Sequence, residues 1–275
     1  THPPVASRLP RLPRRRAILV ATAMALSVAY ASIATAQPAA TPATQEEYVP
    51  DVGQDGKDVI WVPTPQTLVD KMLDMAKVTP KDRLMDLGSG DGRTVITAAQ
   101  RGLTAQGIEY NPDLVELSRR NAQRAGVADR ATFVAADLFQ TDLSKADVIT
   151  MFLLSTINEK LRPTLLQLPP GTRVVSNTFR MGDWEPDAAE TVTKDCSTYC
   201  TALLWIVPAK VEGKWEVDGQ TLHLTQQYQM LSGKLGSADI SDARLNGNAI
   251  SFSANGVRYT CLLYTSDAAD EGLGV

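Results

Sequence analysis

Short apolar runs and helix-spaced apolar positions alternate along the middle of the chain, which predicts strands separated by helices. Three apolar runs end in acids, at Asp86, Glu109 and Asp137, and helical spacing follows at 94–99 and 112–124. Buried parallel strands are nearly continuous in apolar residues, whereas helices packed on a sheet repeat them every three to four positions. The third of these runs is 132–134, and further strands are predicted at 147–154, 172–179 and 199–207, the last closing the sheet. The pattern therefore predicts an α/β domain over residues 51–207.

A different pattern begins at Pro208, where short runs alternate between polar and apolar residues. The pairs Asp218-Gly219 and Asn246-Gly247 separate these runs. An acid or amide followed by glycine is typical of β-hairpin turns. We therefore expect a small antiparallel β appendage over residues 208–260. Residues 261–275 resemble a translated sequencing adapter, so the appendage is expected to be truncated.

The first fifty residues have the composition of a targeting segment followed by a linker. Arginines precede an apolar stretch at 17–34, and Ala34-Thr35-Ala36 closes it. This pattern predicts a secretory signal peptide over 1–36, and residues 37–50 a proline-rich linker. The protein would then be periplasmic or exported, with membrane contact only through an uncleaved signal. The first methionine is Met24; if the start is misassigned, the protein would be cytoplasmic.

Charge and composition argue against several classes of protein. The net charge is −4, the isoelectric point is near 5.3, and the strongest basic cluster lies in the predicted signal, so no nucleic-acid partner is expected. Two histidines leave no histidine-based triad and no zinc set, so no metal is expected. Cys196 and Cys200 leave two interpretations open, a disulfide in an exported protein or two half-buried thiols.

A glycine-rich turn follows the first predicted strand, in Asp86-Leu-Gly-Ser-Gly-Asp-Gly92. Glycine lets the backbone approach a ligand closely because it has no Cβ and tolerates positive φ. Asp86 and Asp91 would repel the pyrophosphate of a dinucleotide, which disfavours a nicotinamide-dependent oxidoreductase. Two carboxylates suit a ligand with a cationic end, such as the ammonium and sulfonium of S-adenosylmethionine. Glu109 ends the second strand, where a carboxylate can accept hydrogen bonds from two ribose hydroxyls.

With these motifs, residues 59–180 resemble the class I S-adenosylmethionine-dependent methyltransferases. The resemblance implies a Rossmann-like sheet with helices on both faces, and S-adenosylmethionine as the cofactor. It places Asp86 near the methionine ammonium, Glu109 at the ribose and Asp137 at the adenine amino group. The other cofactor-binding residues that it implies are Thr64, Gly88, Ser89, Gly90, Gly92, Tyr110 and Leu138.

The methyl acceptor is less clearly indicated. Methyl transfer from a sulfonium is an in-line displacement that depends mainly on positioning, and the sequence identifies no catalytic residue. Met151-Phe152-Leu153 follows the fourth strand and suggests a mainly apolar acceptor pocket. At the end of the fifth strand, Ser176, Asn177 and Thr178 are expected to line its acceptor side.

The segment Val62-Pro-Thr-Pro65 adds a narrower resemblance and a local expectation. Together with residues 86–93, it resembles small lysine methyltransferases that act on membrane-embedded proteins, so a protein lysine amine is a hypothesis for the acceptor. Thr64 is also expected to cap a helix that begins at Pro65. The alternative function is an exported nucleoside-binding module of the same fold without catalysis, because S-adenosylmethionine is made in the cytoplasm.

Overall fold

The computed structural model describes residues 48–56 and 60–263, and its first sheet is built from strands that alternate with helices. The strands are β1 Arg83–Leu87, β2 Thr104–Glu109, β3 Ala131–Ala135, β4 Val148–Met151, β5 Arg173–Asn177, β6 Ala188–Thr191 and β7 Thr201–Ile206. The helices are α1 Gln66–Met75, α2 Arg93–Gln100, α3 Pro112–Arg124 and α4 Ser155–Leu165. The predicted signal peptide, residues 37–47 of the linker and residues 264–275 lie outside the described ranges.

The strand order of the first sheet is β3-β2-β1-β4-β5-β7-β6. Strands β1 to β5 pair in parallel, and β7 pairs antiparallel with both β5 and β6. The order reverses between β1 and β4, and open α/β sheets bind ligands at such a reversal, beyond the carboxyl ends of the strands. The predicted α/β fold is confirmed.

One detail of the prediction is wrong, because β7 does not close the sheet. It lies between β5 and β6, and β6 forms the edge. All four residues of β6 are exposed. A short exposed strand carries no apolar alternation, so the sequence pattern did not reveal it.

Helices cover both faces of the first sheet, as expected. Buried side chains of α1, α2 and α3 form one apolar cluster with the sheet, and α4 contributes Ile157, Leu161 and Leu165 to a second cluster. Asn111 is the N-cap of helix α3, Pro112–Arg124, and its side chain accepts a hydrogen bond from the Asp113 amide. Within the described ranges, none of the helices is long and apolar enough to cross a bilayer.

The C-terminal part of the chain forms a second, antiparallel sheet, which confirms the predicted β appendage. Its strands are β8 Gly213–Val217, β9 Gln220–Gln227, β10 Met230–Leu235, β11 Ala238–Asp239, β12 Ser241–Asn246, β13 Ala249–Ala254 and β14 Val257–Leu262. Their order is β14-β13-β12-β10-β9-β8, and β11 pairs with β10. Strand β14 includes Cys261 and Leu262, which fall inside the segment that resembles an adapter. The origin of that segment stays a prediction.

One contact between the appendage and the segment that joins β5 to β6 is made by Gln229, which is 2% exposed. Its side-chain oxygen accepts a hydrogen bond from Trp184 Nε1 at 2.9 Å, and its amide donates to the Glu185 carbonyl at 2.7 Å. Trp184 also stacks on Tyr228, with ring centroids 5.8 Å apart. The buried polar groups of Gln229, Trp184 and Glu185 are therefore hydrogen-bonded to one another beside two stacked aromatic rings.

Candidate functional site

A cavity of about 480 Å³ opens beyond the carboxyl ends of β1, β2 and β4, where the strand order reverses. Its volume lies in the range of small-molecule sites. Nine of the ten residues predicted to bind a cofactor line it: Thr64, Asp86, Gly88, Ser89, Gly90, Glu109, Tyr110, Asp137 and Leu138. The tenth, Gly92, lies behind the wall at the start of α2. The structure thus brings the predicted set together, while the role of each residue stays a prediction.

The glycine-rich turn is tightly packed at Gly90 and Gly92. Gly90 has φ +56°, and a Cβ there would lie 2.7 Å from Trp61 Nε1. Gly92 has φ +83°, and its Cβ would lie 2.8 Å from the Phe133 ring and 2.9 Å from Ser118 Cβ. Both positions therefore need glycine for conformation and for space. Gly92 lets α2 begin close to β3 and α3. The first residues of α2, Arg93 and Thr94, line the cavity.

Glu109 ends β2 with both carboxylate oxygens fixed by backbone amides. One oxygen accepts a hydrogen bond from the Gly90 amide at 2.9 Å, and the other accepts from the Asn111 amide at 3.0 Å. A carboxylate has about four acceptor positions, so two remain for a ligand's hydroxyl groups. Glu109 is thus oriented by the turn itself, in a manner suited to the predicted ribose contact.

Asp86, at 6% exposure, is the most buried acid of the cavity wall. Burial raises its pKa from 3.8 to about 7; the hydrogen bond from Thr150 opposes this rise, and the negative charges of Glu109 and Asp91 add to it. The hydrogen bond to Asp86 comes from a neutral hydroxyl, whereas an adjacent cation would favour the ionised carboxylate and lower its pKa. The residues present therefore fit a ligand that brings an ammonium group to Asp86.

Asp91 contributes less free charge to the turn than the sequence suggested. Arg93 donates to both of its carboxylate oxygens, with Nη2 at 2.6 Å and Nε at 3.0 Å. The same guanidinium donates from Nη1 to the Thr64 carbonyl at 2.9 Å. Arg93 thus neutralises Asp91 and holds the entry segment against the turn, leaving Asp86 and Glu109 as the principal carboxylates on this side.

The expected helix cap at Thr64 is wrong. Helix α1 begins at Gln66 with Pro65 as its cap, and no side chain caps it. Thr64 is instead buried in the cavity wall, where its hydroxyl accepts a hydrogen bond from Asn177 Nδ2 at 3.4 Å. Pro65 has an extended ψ of 139°, so the helix starts one residue later than the Thr-Pro pattern indicates.

The predicted adenine side of the cavity follows β3. Asp137 Oδ1 accepts a hydrogen bond from the Phe139 amide at 2.9 Å and caps a short 3-10 helix, Leu138–Gln140. Leu138 is partly buried, and Tyr110 is 56% exposed at the cavity wall. Both side chains therefore have surface available for a flat ring.

The residues expected on the acceptor side do not reach the cavity. Ser176 and Asn177 are fully buried, and none of Ser176, Asn177 and Thr178 belongs to the described cavity wall. The Ser176 hydroxyl donates to the Phe179 carbonyl at 2.8 Å, and the Thr178 hydroxyl donates to Asn177 Oδ1 at 2.9 Å. These groups satisfy the strand end and its turn, so that prediction is corrected.

Three aromatic side chains from neighbouring segments line the cavity. Phe152 follows β4, Phe179 follows β5 and Tyr199 precedes β7, and all three line the cavity. Their ring centroids are 6.0 Å apart for Phe152–Phe179, 5.2 Å for Phe152–Tyr199 and 5.8 Å for Phe179–Tyr199. Met151, Phe152 and Leu153 all line the cavity, in keeping with the expected apolar pocket. The sequence pattern does not reveal Phe179 and Tyr199 as cavity residues, because it predicts each of them within a strand.

A disulfide joins Cys196 to Cys200, with their Cα atoms 5.8 Å apart, which resolves the alternative left open by their spacing. It closes a small loop that contains Tyr199, whose φ is +55°. A second cavity of about 410 Å³ lies beside this loop and is lined by Val62, Pro63 and Tyr199 among others. The same three residues also line the first cavity.

Metal-ligating side chains do not cluster in the described part of the chain. No group of three or more histidines, cysteines, aspartates or glutamates is arranged there to hold a metal ion. The polar groups of the first cavity are instead the carboxylates and backbone amides described above.

Comparison with known proteins gives a consistent family. The family described as ANTKMT methyltransferase domain matches residues 86–188. A protein-lysine N-methyltransferase of Saccharolobus islandicus (strain REY15A) is 41% identical over 152 residues, which cover 54% of this chain and 94% of that protein. The adenine nucleotide translocase lysine N-methyltransferase of Mus musculus is 38% identical over 122 residues, covering 44% of this chain and 53% of that protein. The chain thus spans about half the length of the mouse relative.

A solved structure matches the same part of the chain. It is an RNA methyltransferase from Salinibacter ruber in complex with S-adenosyl-L-homocysteine, with 49% sequence identity and a TM-score of 0.51. The match covers 55% of this chain and 96% of that one.

Proposed function

Because this chain belongs to the class I S-adenosylmethionine-dependent methyltransferases, we propose that its methyl acceptor is a lysine amine of a protein. The archaeal relative shows the family membership, because this chain matches 94% of its length. That membership also favours an enzyme over the non-catalytic binding module. Both the archaeal and the mouse relatives are named as lysine methyltransferases, which supports the proposed acceptor.

The residues of the cavity fit the cofactor of this family. S-adenosylmethionine supplies a methyl group carried on a sulfonium. Asp86 would hold its ammonium, Glu109 its ribose and Asp137 its adenine, and Leu138 and Tyr110 would flank the ring. The observation that carries this assignment is the position of Asp86, which is buried in the cavity wall near the end of β1 and accepts its hydrogen bond from the neutral Thr150 hydroxyl. The raised pKa that burial gives this carboxyl agrees with a site suited to a cationic group.

The charge of the cavity wall supports a cationic acceptor over a nucleic acid. The wall of the first cavity contains five carboxylates, Asp55, Asp86, Asp91, Glu109 and Asp137, and one guanidinium, Arg93. Three of the carboxylates are assigned to the cofactor and Asp91 pairs with Arg93, which leaves Asp55 for the acceptor. In the second cavity, Asp195 is the charged side chain among the described lining residues. A lysine side chain is attracted to such a surface, whereas a phosphate backbone is repelled.

Two measurements test the proposed function. Calorimetric titration of the full chain with S-adenosylhomocysteine should give micromolar affinity, and Glu109→Ala should weaken it about a hundredfold. Transfer of tritiated methyl groups should then label protein acceptors at lysine, identified by mass spectrometry. Labelling of RNA in place of protein would overturn the proposed acceptor and assign this chain the activity named for the Salinibacter protein.

We also propose that the domain works outside the cytoplasm. The Cys196–Cys200 disulfide supports this location, because disulfides persist in oxidising compartments and are rare in the cytosol. Fractionation of cells that express the full chain, combined with alkylation of free thiols, tests it. Recovery in the cytoplasmic fraction with both thiols alkylated would contradict export.

A further inference from the structure

The aromatic residues Phe152, Phe179 and Tyr199 converge from three separate segments of the chain. Two follow neighbouring parallel strands, and the third is held by a disulfide loop before β7. Their centroids are 5.2–6.0 Å apart and their planes are inclined to one another by 26–61°, so a cation over the face of one ring can lie within about 6 Å of all three centroids. This is the range over which an aromatic ring attracts a cation.

The surroundings of the three rings favour a cation over a neutral or anionic group. Arg93 is the positive side chain in the described wall of the first cavity, and Asp91 already pairs with it. Asp195 lines the second cavity on the other side of Tyr199. A positive group at the rings would therefore meet negative potential from both cavities.

The second cavity gives a path to the rings for a long side chain. Val62, Pro63 and Tyr199 line both cavities, so the two share a wall at this point. Val62 and Pro63 present apolar surface along that wall. An aliphatic stem with a charged end can place its methylene groups on such a surface and its cation beyond it.

From this geometry we propose that Phe152, Phe179 and Tyr199 form an ammonium-binding site for the lysine side chain of the acceptor, reached through the second cavity. The inference rests on the proposed function and adds the residues that recognise the lysine side chain. The rings bind the cation of the acceptor, which must give up a proton to solvent before its nitrogen can attack the methyl group. They are acceptor-binding residues, and none of them is among the residues assigned to the cofactor.

The test compares two small probes on the full chain saturated with S-adenosylhomocysteine. One is N-acetyl-trimethyllysine amide, and the other is its neutral analogue with a tert-butyl group in place of trimethylammonium. We expect calorimetry to show the charged probe binding at least about tenfold tighter, since a cation–π site discriminates by charge and not by shape. Equal affinity would overturn the proposal and leave an apolar pocket.

Variants then assign the site. Phe152→Leu, Phe179→Leu and Tyr199→Leu should each weaken the charged probe about tenfold and leave S-adenosylhomocysteine affinity within twofold, whereas Tyr199→Phe should keep the probe bound. If a Leu variant also loses affinity for S-adenosylhomocysteine, that variant is set aside. The preference of the unaltered chain for the charged probe over the neutral probe then decides whether the site binds a cation. Adenosine monophosphate bound at the same rings and lost in the same variants would overturn the proposal in favour of a nucleobase. Lysine methylation that survives all three variants would also overturn it, while the proposed function would stand.

Discussion

The Thr150 hydroxyl donates a hydrogen bond to Asp86 Oδ1 at 2.7 Å, and the two residues are direct partners on the neighbouring strands β4 and β1. Both are buried, at the point where the strand order of the sheet reverses. The hydrogen bond favours the ionised carboxylate, but burial outweighs it and raises the pKa of Asp86 to about 7. The charge of Asp86 in the cavity wall therefore depends on pH near neutrality and on what binds beside it.

The first prediction is that cofactor binding releases a proton from Asp86. The ammonium of S-adenosylhomocysteine favours the ionised carboxylate, so its affinity should rise with pH and level off above about 7. At pH 6, calorimetry in buffers of different ionisation enthalpy should show release of up to about one proton. Asp86→Asn should abolish the release; identical heats in all buffers for the unaltered protein would contradict the prediction.

The second prediction concerns Thr150→Val, which removes the hydroxyl and keeps the shape. Without this hydrogen bond the pKa of Asp86 should rise further, and the pH at which affinity levels off should move up by about one unit. The measurement is the affinity for S-adenosylhomocysteine between pH 5.5 and pH 9. Thr150→Ser is the matched control because it keeps a donor, and an equal shift in that variant would assign the effect to packing.

The sequence predicted those elements in which a clear apolar repeat is accompanied by residues typical of a helix start or a strand end. The helix 112–124 was placed correctly, since Asn111 and Pro112 define its start and its apolar face repeats clearly. The convergence of Asp86, Glu109 and Asp137 on one cavity was predictable because each follows a strand, and the carboxyl ends of parallel strands share one edge.

There is a physical reason why Phe179 and Tyr199 could not be predicted to line the cavity. Whether a residue at a strand end faces the core or the cavity depends on the turn that follows. Ser176 is directed back to the Phe179 carbonyl, and Thr178 has φ +61°, so Phe179 is the residue exposed to the cavity. Tyr199 reaches the same place through a disulfide loop. Neither conformation leaves a trace in hydrophobic periodicity.

The third prediction is that Gly90→Ala weakens cofactor binding through Trp61. The new Cβ would lie 2.7 Å from Trp61 Nε1 at a residue with φ +56°, so the indole in the cavity wall must move. We expect about a tenfold loss of S-adenosylhomocysteine affinity and a loss of about 1 kcal/mol in the free energy of unfolding. Gly171→Ala is the control, since Gly171 has φ +91° and open space around its Cβ. An equal loss of stability in the control would show that backbone strain, and not the contact with Trp61, lowers the free energy of unfolding.

The fourth prediction is that the disulfide supports the acceptor side and not the cofactor side. The double variant Cys196→Ser, Cys200→Ser should weaken the trimethyllysine probe several-fold, because Tyr199 loses the loop that holds it at the cavity. Affinity for S-adenosylhomocysteine should stay unchanged, and the free energy of unfolding should fall by about 2 kcal/mol or less, as expected for so short a loop. Cys261→Ser removes the buried free thiol and serves as the control. Loss of cofactor binding in the double variant alone would contradict the prediction.

The fifth prediction is that Gln229 joins the two sheets energetically. Gln229→Leu would leave the Trp184 indole N–H and the Glu185 carbonyl without their partner in a buried contact, and each such group costs about 1–3 kcal/mol. Urea denaturation should therefore show a loss of about 3 kcal/mol. The control is Lys210→Met, which removes an exposed hydrogen bond to Gln167 and should change stability by about 0.5 kcal/mol or less.

A double-mutant cycle separates the hydrogen bond from the packing at the same contact. Trp184→Phe removes the indole donor, so Gln229→Leu should cost less in that background by about 1 kcal/mol. Additive losses would show that the glutamine acts only by filling space. Trp184 lies five residues after Phe179, in the segment that leads from the cavity to β6. If the cycle shows coupling, the appendage stabilises the segment that carries an acceptor-binding ring, and Gln229→Leu should also weaken the charged probe.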